Sequence, residues 1–290
     1  MSGQALGQAA AASRLRGFLA HGVLVLASMA ALYPVLWVLK IALSPGQAFD
    51  SSPSPLPTAF SSEHFIAVTT TTNAEGSWLF GRQLFNSLAV AGVTTVVGLF
   101  LACTAAYAFS RFRFPGRQAG LTAFLLTQIF PGVVMLIPLY ILLDLAGLLD
   151  SLAGLVLVYS TTSVPFCTWM LKGYFDTLPS ELEEAARIDG ASQWFIFTRI
   201  MLPLARPALA VTALFAFMTA WNEFILAATL VNDAALFTLP VALQRYVGEF
   251  QTDWGSFAAG AILVSVPVMA LFYALQKHLV GGLTAGAVKG

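Results

Sequence analysis

One carboxylate in this chain lies where it could carry protons or line a solute pathway. Glu223 interrupts an apolar stretch, residues 207–232, and Asn222 precedes it. An ionisable side chain inside a membrane segment is costly and usually faces a cavity or a partner. Three roles fit this pattern: a lining of a solute pathway, an interhelical hydrogen bond with Asn222 or a partner subunit, and a proton-coupling site.

No set of residues in the sequence is typical of an enzyme. Gly281 and Gly286 have the spacing of a phosphate-binding loop, but Ala-Val follows where that loop needs Lys-Ser or Lys-Thr. The three histidines lie in separate segments without metal-ligand spacing. Cys103 and Cys167 lie inside apolar stretches, which favours packing roles over a disulfide. We therefore expect a chain with no catalytic residue, metal site or cofactor of its own.

Composition and hydropathy predict a membrane protein. Of the 290 residues, 58% are hydrophobic and 10% are charged, whereas soluble domains carry about 25% charge. Six apolar stretches reach the about 20 residues that a helix needs to cross a bilayer. The predicted fold class is an all-α membrane protein with six transmembrane helices. A membrane domain, 18–280, contains the predicted spans and is flanked by two tails, 1–17 and 281–290. Residues 1–13 of the first tail are expected to be irregular. The spans are 18–39, 85–109, 119–143, 152–171, 207–230 and 256–277.

The positions of Lys and Arg predict the orientation in the membrane. With a cytoplasmic N-terminus, three of the 14 Lys and Arg residues, namely Lys40, Arg82 and Arg245, fall outside and the rest fall in the cytoplasm. This is the bias that the positive-inside rule describes. Both termini and the loop 172–206 are then cytoplasmic. The net charge is zero, so composition suggests no nucleic-acid partner.

The loop between the fourth and fifth spans has the most distinctive polar pattern. Residues 184–203 read E-A-A-x-x-x-G, nine residues, then I-x-L-P. We expect one short helix that begins after Ser180, with Glu183 completing a capping box, and ends at Gly190 in a left-handed C-cap. A second helix, 193–201, is predicted to be capped by Ser192 and ended by Pro203. Two such helices form either a knob that docks on a partner or an amphipathic loop lying on lipid headgroups. The candidate docking residues are Glu184, Ala185, Ala186, Asp189, Gly190, Ile200, Leu202 and Pro203.

This pattern resembles the coupling loop of permease subunits in bacterial ATP-binding-cassette (ABC) importers. Other segments resemble the carbohydrate importers, and within them the MalG-type permeases of maltose and maltodextrin systems. The Trp221-Asn222-Glu223 segment resembles the wider carbohydrate family. The segments that carry the MalG-type resemblance are Asn86-Ser87, 105–111, Phe114-Pro115-Gly116, Phe130-Pro131, 172–175 and 281–290.

The resemblance implies a multi-subunit complex in the bacterial inner membrane. Its implied partners are a second, MalF-like permease, a MalK-like ATPase dimer that binds ATP, an extracytoplasmic sugar-binding protein and membrane lipid. The knob around Glu184 would dock on the ATPase, and the loop 231–253 would enter the binding protein. The tail would contact the ATPase through Leu283, Thr284, Gly286 and Lys289.

The resemblance also implies a class of solute. The first expectation is maltose, maltodextrin or a related α-glucoside such as trehalose. Another oligosaccharide or a glycerol-phosphate-type solute is the alternative within the same class of importer. Ion-coupled secondary transport through Glu223 is the alternative outside it.

Overall fold

The computed structural model describes residues 2–46, 52, 54, 56–130, 132–248 and 252–287, with side chains described between residues 17 and 277. These residues are almost entirely helical, which confirms the all-α prediction. Within those ranges, β-structure consists of two isolated antiparallel bridges, Thr72 to Trp78 and Val247 to Thr252. The helices are α1 Ser2–Leu43, α2 Glu63–Thr69, α3 Leu79–Arg111, α4 Arg117–Ile129, α5 Gly132–Leu145, α6 Leu152–Thr177, α7 Glu181–Ile188, α8 Gln193–Phe195, a π-helix Ile196–Met201, α9 Leu202–Leu204, α10 Arg206–Trp221, α11 Ile225–Leu230, α12 Leu239–Leu243, a 3₁₀ turn Gln244–Tyr246 and α13 Trp254–Ala287.

Four helices are long and apolar enough to cross a membrane. The number rises to six if each of two bent pairs is one span: α4 with α5, and the helical stretch Gln193–Leu204 with α10. Four predicted spans correspond to single helices, namely α1, α3, α6 and α13. The helices extend beyond the predicted bounds. For example, α1 begins at Ser2, where an irregular tail was expected. Hydropathy locates the apolar part of a helix but not its polar ends, because the polar groups at those ends interact with water and lipid headgroups.

The third and fifth predicted spans are interrupted. The third consists of α4 and α5, whose axes differ by 104°. Phe130, which precedes a proline, is extended between them, as steric restriction before proline requires. The fifth, 207–230, divides into α10 and α11 around residues 222–224. Pro138, in contrast, lies inside α5.

The chain divides into two compact units, and the larger comprises Thr70–Arg245 and Val264–Gly290. In this unit α3 packs against α6 and α10. Small residues allow the close approach of α3 and α6, since a Cβ on Gly98 would lie 3.2 Å from the Ser163 hydroxyl. Cys103 and Cys167 are free and buried in the main apolar cluster, which confirms their packing role. The same cluster includes Tyr107 and extends into the segment after α8.

The smaller unit comprises Met1–Thr69 and Tyr246–Leu263. His64 of α2 is buried. Its Nε2 lies 3.0 Å from the carbonyl of Ser44 and 3.1 Å from that of Gly46. Its Nδ1 lies 3.3 Å from the Ser256 hydroxyl at the start of α13. His64 thus connects three segments of this unit through hydrogen bonds.

Candidate functional site

The first loop helix, α7, begins where the sequence predicts but not by the predicted cap. Ser180 is the N-cap residue, yet its side chain makes no capping hydrogen bond. Glu183 turns inward, with 1% of its surface exposed. The capping-box prediction is therefore wrong, because the Glu183 carboxylate binds charged and phenolic donors from α3 in preference to a backbone N–H.

The end of α7 follows the prediction. Gly190 has a φ of 82°, the left-handed conformation. Its N–H donates to the carbonyl of Arg187 at 3.0 Å, and the N–H of Ala191 donates to the carbonyl of Ala186 at 2.9 Å. These two bonds are those of a Schellman motif. Gly190 therefore ends the helix and turns the chain sharply into the second helical segment.

The second segment is longer and more irregular than predicted. The Ser192 hydroxyl accepts the Phe195 N–H at 3.2 Å, which confirms the predicted cap. The prediction that Pro203 ends the helix after residue 201 is wrong, since the helical turns continue to residue 204. The Leu202 N–H donates five residues back to Phe197, within a π-helix, and the Ala205 N–H then donates four residues back to Met201. The wide turn precedes Pro203, which has no N–H to donate.

A buried polar cluster fastens the loop to the end of α3. We call Tyr107, Arg111, Glu183 and Gln193 the anchor cluster. The Glu183 carboxylate accepts hydrogen bonds from Tyr107 Oη at 2.9 Å and from Arg111 Nε at 2.5 Å. Gln193 Nε2 donates to Tyr107 Oη, so both loop helices bond to one side chain of α3. Arg111 Nη2 also donates to the carbonyl of Leu178 at 2.8 Å.

Apolar side chains of the loop also pack against α3 and α6, next to the anchor cluster. The Tyr107 ring lies 4.8 Å from the ring of Phe197 and 5.9 Å from that of Phe175, centroid to centroid. Ile196 and Met201 of the π-helix are fully buried. Burial of each large apolar side chain contributes about 1.5–3 kcal/mol. The loop is therefore packed directly onto the ends of α3 and α6.

Helices α7 and α8 of the loop also expose four large apolar side chains. We call Leu182, Glu184, Ile188, Trp194 and Phe195 the knob face. Ile188 is 86% exposed and Trp194 is 64% exposed. Within the described part of the chain the exposed Glu184 carboxylate has no hydrogen bond or ion pair. Exposed large apolar side chains with a charged residue among them are typical of a protein-interaction surface.

The predicted docking residues divide between the surface and the interior of the loop. Glu184, Ala185, Asp189 and Gly190 are exposed. The other four are half-buried, and three of these pack against the main apolar cluster. The half-buried residues are Ala186, Ile200, Leu202 and Pro203.

Sequence reasoning missed the anchor cluster. Its residues are far apart in the chain, since 76 residues separate Tyr107 from Glu183. The available signal was the i, i+4 spacing of Tyr107 and Arg111 at the end of an apolar span, which places both on one helix face.

The predicted tail contact lies at the edge of the described chain. Leu283, Thr284 and Gly286 belong to the helical backbone of α13, in the part whose side chains are not described. Lys289 lies outside the described residues.

Glu223 has a structural set of partners. Its carboxylate accepts the Tyr159 hydroxyl at 2.8 Å and the N–H groups of Leu226 and Ala227 at 2.8 and 3.0 Å. It therefore caps α11 and ties it to α6. An interhelical hydrogen bond was one of the three roles expected, but its partner is Tyr159 rather than Asn222. Asn222 is exposed at the end of α10.

Polar residues at the start of α3 hold the segment that follows α11. Asn86 Nδ2 donates to the carbonyls of Ala235 and Phe237 at 2.9 and 3.1 Å. The Ser87 hydroxyl accepts the N–H of Leu239 at 2.7 Å. The Asn-Ser pair, which the sequence marks only by resemblance, thus fixes the first part of the loop 231–253.

A turn before α6 bonds to the same loop. The Asp150 carboxylate accepts the Asn232 N–H at 2.5 Å. This bond to the backbone of Asn232 is the largest influence on the carboxyl, and it lowers the pKa of Asp150 below its usual value. Asp150 has a φ of 50°, a conformation that Asp tolerates better than most residues.

Comparison with known proteins identifies the family. Residues 94–284 match the family described as "Binding-protein-dependent transport system inner membrane component". The chain is 38% identical over 270 residues to the galactooligosaccharides transport system permease protein GanQ of Bacillus subtilis, covering 92% of this chain and 94% of that protein. It is 35% identical to the trehalose transport system permease protein SugB of Mycobacterium tuberculosis, covering 90% and 93%. It is 37% identical to the maltose/maltodextrin permease MalG of Salmonella typhimurium, covering 96% and 97%.

Solved structures share the fold. A chain from the crystal structure of a bacterial ABC transporter involved in the import of the acidic polysaccharide alginate aligns with a TM-score of 0.75 at 24% identity, covering 92% of this chain and 97% of that one. A chain of the MetNI methionine ABC transporter aligns with a TM-score of 0.59 at 17% identity, covering 72% and 99%. The chain belongs to the family of inner-membrane components of binding-protein-dependent transport systems, as a multi-pass, non-catalytic permease subunit of the bacterial inner membrane.

Proposed function

We propose that this chain is the permease subunit of an ATP-driven importer of oligosaccharides, and that its knob face docks on a separate ATPase. The observation that carries the proposal is the pairing of an exposed apolar knob with a buried anchor. The knob face offers a surface to a partner. The anchor cluster connects that surface to α3, a helix long enough to span the membrane.

The geometry supports a mechanical role for the loop. Glu183 joins α7 to α3, and Gln193 joins the second loop segment to the same Tyr107 side chain. A displacement of the knob by a partner therefore moves the end of α3 with it. Packed elements of this kind transmit rigid-body motion instead of absorbing it. In this proposal the ATPase hydrolyses ATP, and this chain converts the closure of the ATPase subunits into movement of the spans.

Glu184 is the residue suited to the contact itself. Its carboxylate is exposed and has no partner in the described part of the chain. An arginine of the ATPase would bind it in a bidentate, charge-assisted pair. The helix α13 continues to Ala287, so the tail with Leu283, Thr284, Gly286 and Lys289 provides a second ATPase contact in this proposal.

The rest of the complex follows the same reasoning. The proposed partners are a second permease and an extracytoplasmic binding protein that delivers the sugar. The loop 231–253 is the proposed contact with the binding protein, because Asn86 and Ser87 hold its start in a fixed position. The proposed orientation places both termini and the knob in the cytoplasm.

The solute is proposed to be a disaccharide or a short oligosaccharide. Relatives named for galactooligosaccharides, trehalose, diacetylchitobiose and maltose are 35–38% identical to this chain. These values are too close to select one sugar. Maltose, maltodextrin and trehalose are the first to test, because the tail 281–290 resembles the maltose subgroup.

Uptake of labelled sugars by cells that contain the intact complex tests the proposal. Glu184→Lys is expected to abolish uptake while the chain remains inserted at wild-type level. Arg199→Gln removes an exposed charge from the same loop and is the matched control, expected to retain uptake. Full uptake by Glu184→Lys would contradict docking of the knob on the ATPase and would favour a loop that lies on headgroups.

The energy source separates an ATPase-driven importer from ion coupling. Uptake is expected to persist when a protonophore collapses the proton gradient while ATP is maintained. Collapse of uptake under these conditions would favour secondary transport and make Glu223 the coupling candidate.

A further inference from the structure

A basic cleft lies beside the loop, between the turn from α3 to α4 and the start of α7. Its volume is about 410 Å³. Four arginines and two glutamates are among its lining residues: Arg111, Arg113, Arg117, Arg187, Glu183 and Glu184. With all six ionised, the lining carries a net charge of +2. The cleft is therefore suited to an anion.

The excess positive charge is concentrated on the turn. Arg111 is paired with Glu183, and Arg187 lies 3.4 Å from the same carboxylate. Arg117 uses Nε to donate to the carbonyl of Phe109 at 2.8 Å. Arg113 is exposed and makes no hydrogen bond or ion pair with any residue that the structure describes. Its guanidinium has all five N–H donors available.

Chain connectivity places the cleft at the membrane surface. Helix α3 is a candidate span that ends at Arg111, and α4 begins at Arg117 as the first half of another candidate span. Only residues 112–116 connect them. Phe112 and Phe114 alternate with the arginines of this turn and are 41% and 40% exposed. Aromatic and basic residues in alternation are typical of the boundary between acyl chains and headgroups.

We propose that this cleft binds the phosphate of an anionic phospholipid, such as phosphatidylglycerol. Arg113 holds the phosphate through a bidentate contact, the geometry that guanidinium and phosphate share. Arg117 and Arg187 add positive charge, and the exposed Phe112 and Phe114 contact the first carbons of the acyl chains. A basic pocket between membrane helices is a recognised form of lipid headgroup site.

A lipid is favoured over free phosphate because the turn faces the headgroup layer. The site also lies against Glu183 of the anchor cluster and Glu184 of the knob face. An occupant of the cleft therefore contacts the base of α7.

Native mass spectrometry of the purified full-length chain tests the proposal. The chain is stripped of lipid in mild detergent and mixed with phosphatidylglycerol and phosphatidylcholine of matched acyl chains. Arg113→Gln is the principal variant, since the absence of described contacts means that its folding should be unaffected. Arg113→Lys keeps the charge without the bidentate geometry. Arg199→Gln, an exposed arginine outside the cleft, controls for loss of charge elsewhere on the loop.

The wild-type chain is expected to retain phosphatidylglycerol in preference to phosphatidylcholine. Affinity should fall about fivefold for each cation removed, so Arg113→Gln loses about that factor and Arg113→Gln/Arg187→Gln about thirtyfold. Arg113→Lys should lie between wild type and Arg113→Gln, and Arg199→Gln should match the wild type.

Three results would overturn the proposal. Equal retention of the two lipids by the wild type is one, and equal loss in Arg113→Gln and Arg199→Gln is another. The third is binding of inorganic phosphate or glycerol 3-phosphate as tight as that of the lipid, which would make the cleft a soluble-anion site.

Discussion

Glu183→Gln and Glu184→Gln are the same substitution at neighbouring positions. We expect the first to lower the stability of the fold strongly and the second to leave it nearly unchanged. Glu183 has 1% of its surface exposed and is paired with Arg111, whose side chain is 13% exposed. Glu184 is exposed and has no partner in the described chain. Removal of one member of a buried ion pair costs about 3–5 kcal/mol, because the other charge stays buried. The glutamine oxygen still accepts one hydrogen bond, so we expect the lower end, about 3 kcal/mol.

These energies translate into measurable unfolding temperatures. A cost of about 3 kcal/mol lowers the unfolding midpoint by roughly 6–12 °C in a chain of this size class. Glu184→Gln should change stability by no more than about 0.5 kcal/mol, as substitutions of exposed, unpaired side chains do. The shift between the two variants is therefore well above the error of a thermal scan.

A thiol-reactive dye provides the assay. Cys103 and Cys167 are free and buried in the apolar cluster that also contains Tyr107. They react when this region opens, so the dye signal reports on the anchored end of the chain. Purified wild type, Glu183→Gln and Glu184→Gln are heated in the same detergent. Equal midpoints for Glu183→Gln and the wild type, or an equal fall in both variants, would refute the assignment of the anchor.

Three further predictions concern the turn at Gly190, the interrupted span 207–230 and the loop 231–253. Gly190→Ala should destabilise the loop by about 1–2 kcal/mol, because its φ of 82° is unfavourable for a residue with a Cβ. Gly173→Ala in helix α6 is the control, since a Cβ would meet no atom within 4 Å at either glycine. It should be neutral or stabilising in the same thermal scan. Glu223→Ala should lower the unfolding midpoint more than Tyr159→Phe. The alanine leaves three donors without an acceptor, namely the first N–H groups of α11 that Glu223 caps and the Tyr159 hydroxyl. Equal midpoints for the two variants would contradict the capping role. Asp150→Asn should lower the unfolding midpoint at pH 7. The Asn232 N–H lowers the pKa of Asp150 in the folded state, so the carboxylate stabilises the fold fully above its unfolded pKa of about 3.9. This stabilisation is lost as the pH falls through the folded pKa. A difference from wild type that is unchanged at pH 3 would contradict it.

The apolar architecture could be read from the sequence because hydropathy is a local property. The charge-free stretch 152–171 predicted the start of α6 and fell six residues short of its polar end at Thr177. The break at residues 222–224 could not be read in this way, because all of 207–232 except Glu223 is uncharged. Its signal was Glu223 itself, a carboxylate that caps the N–H groups three and four residues later.

The loop was predictable where local geometry decides it. Gly190 and Ser192 act on backbone groups within a few residues, and both predictions were confirmed. The capping-box prediction for Glu183 was wrong because the partners of its carboxylate come from α3, 72 and 76 residues earlier. A run of two glutamates contains no local information on which one is buried. Tertiary contacts therefore replaced the capping box that the local sequence favours.

Co-purification of the tagged chain from its native membranes tests whether the knob face holds an ATPase. The wild type is expected to retain an ATPase and a second permease in mild detergent. Glu184→Lys should keep the second permease and lose most of the ATPase, while Arg199→Gln keeps both. Recovery of the chain alone, under conditions that preserve other membrane complexes, would contradict a multi-subunit importer. Full retention of the ATPase by Glu184→Lys would contradict docking through the knob face.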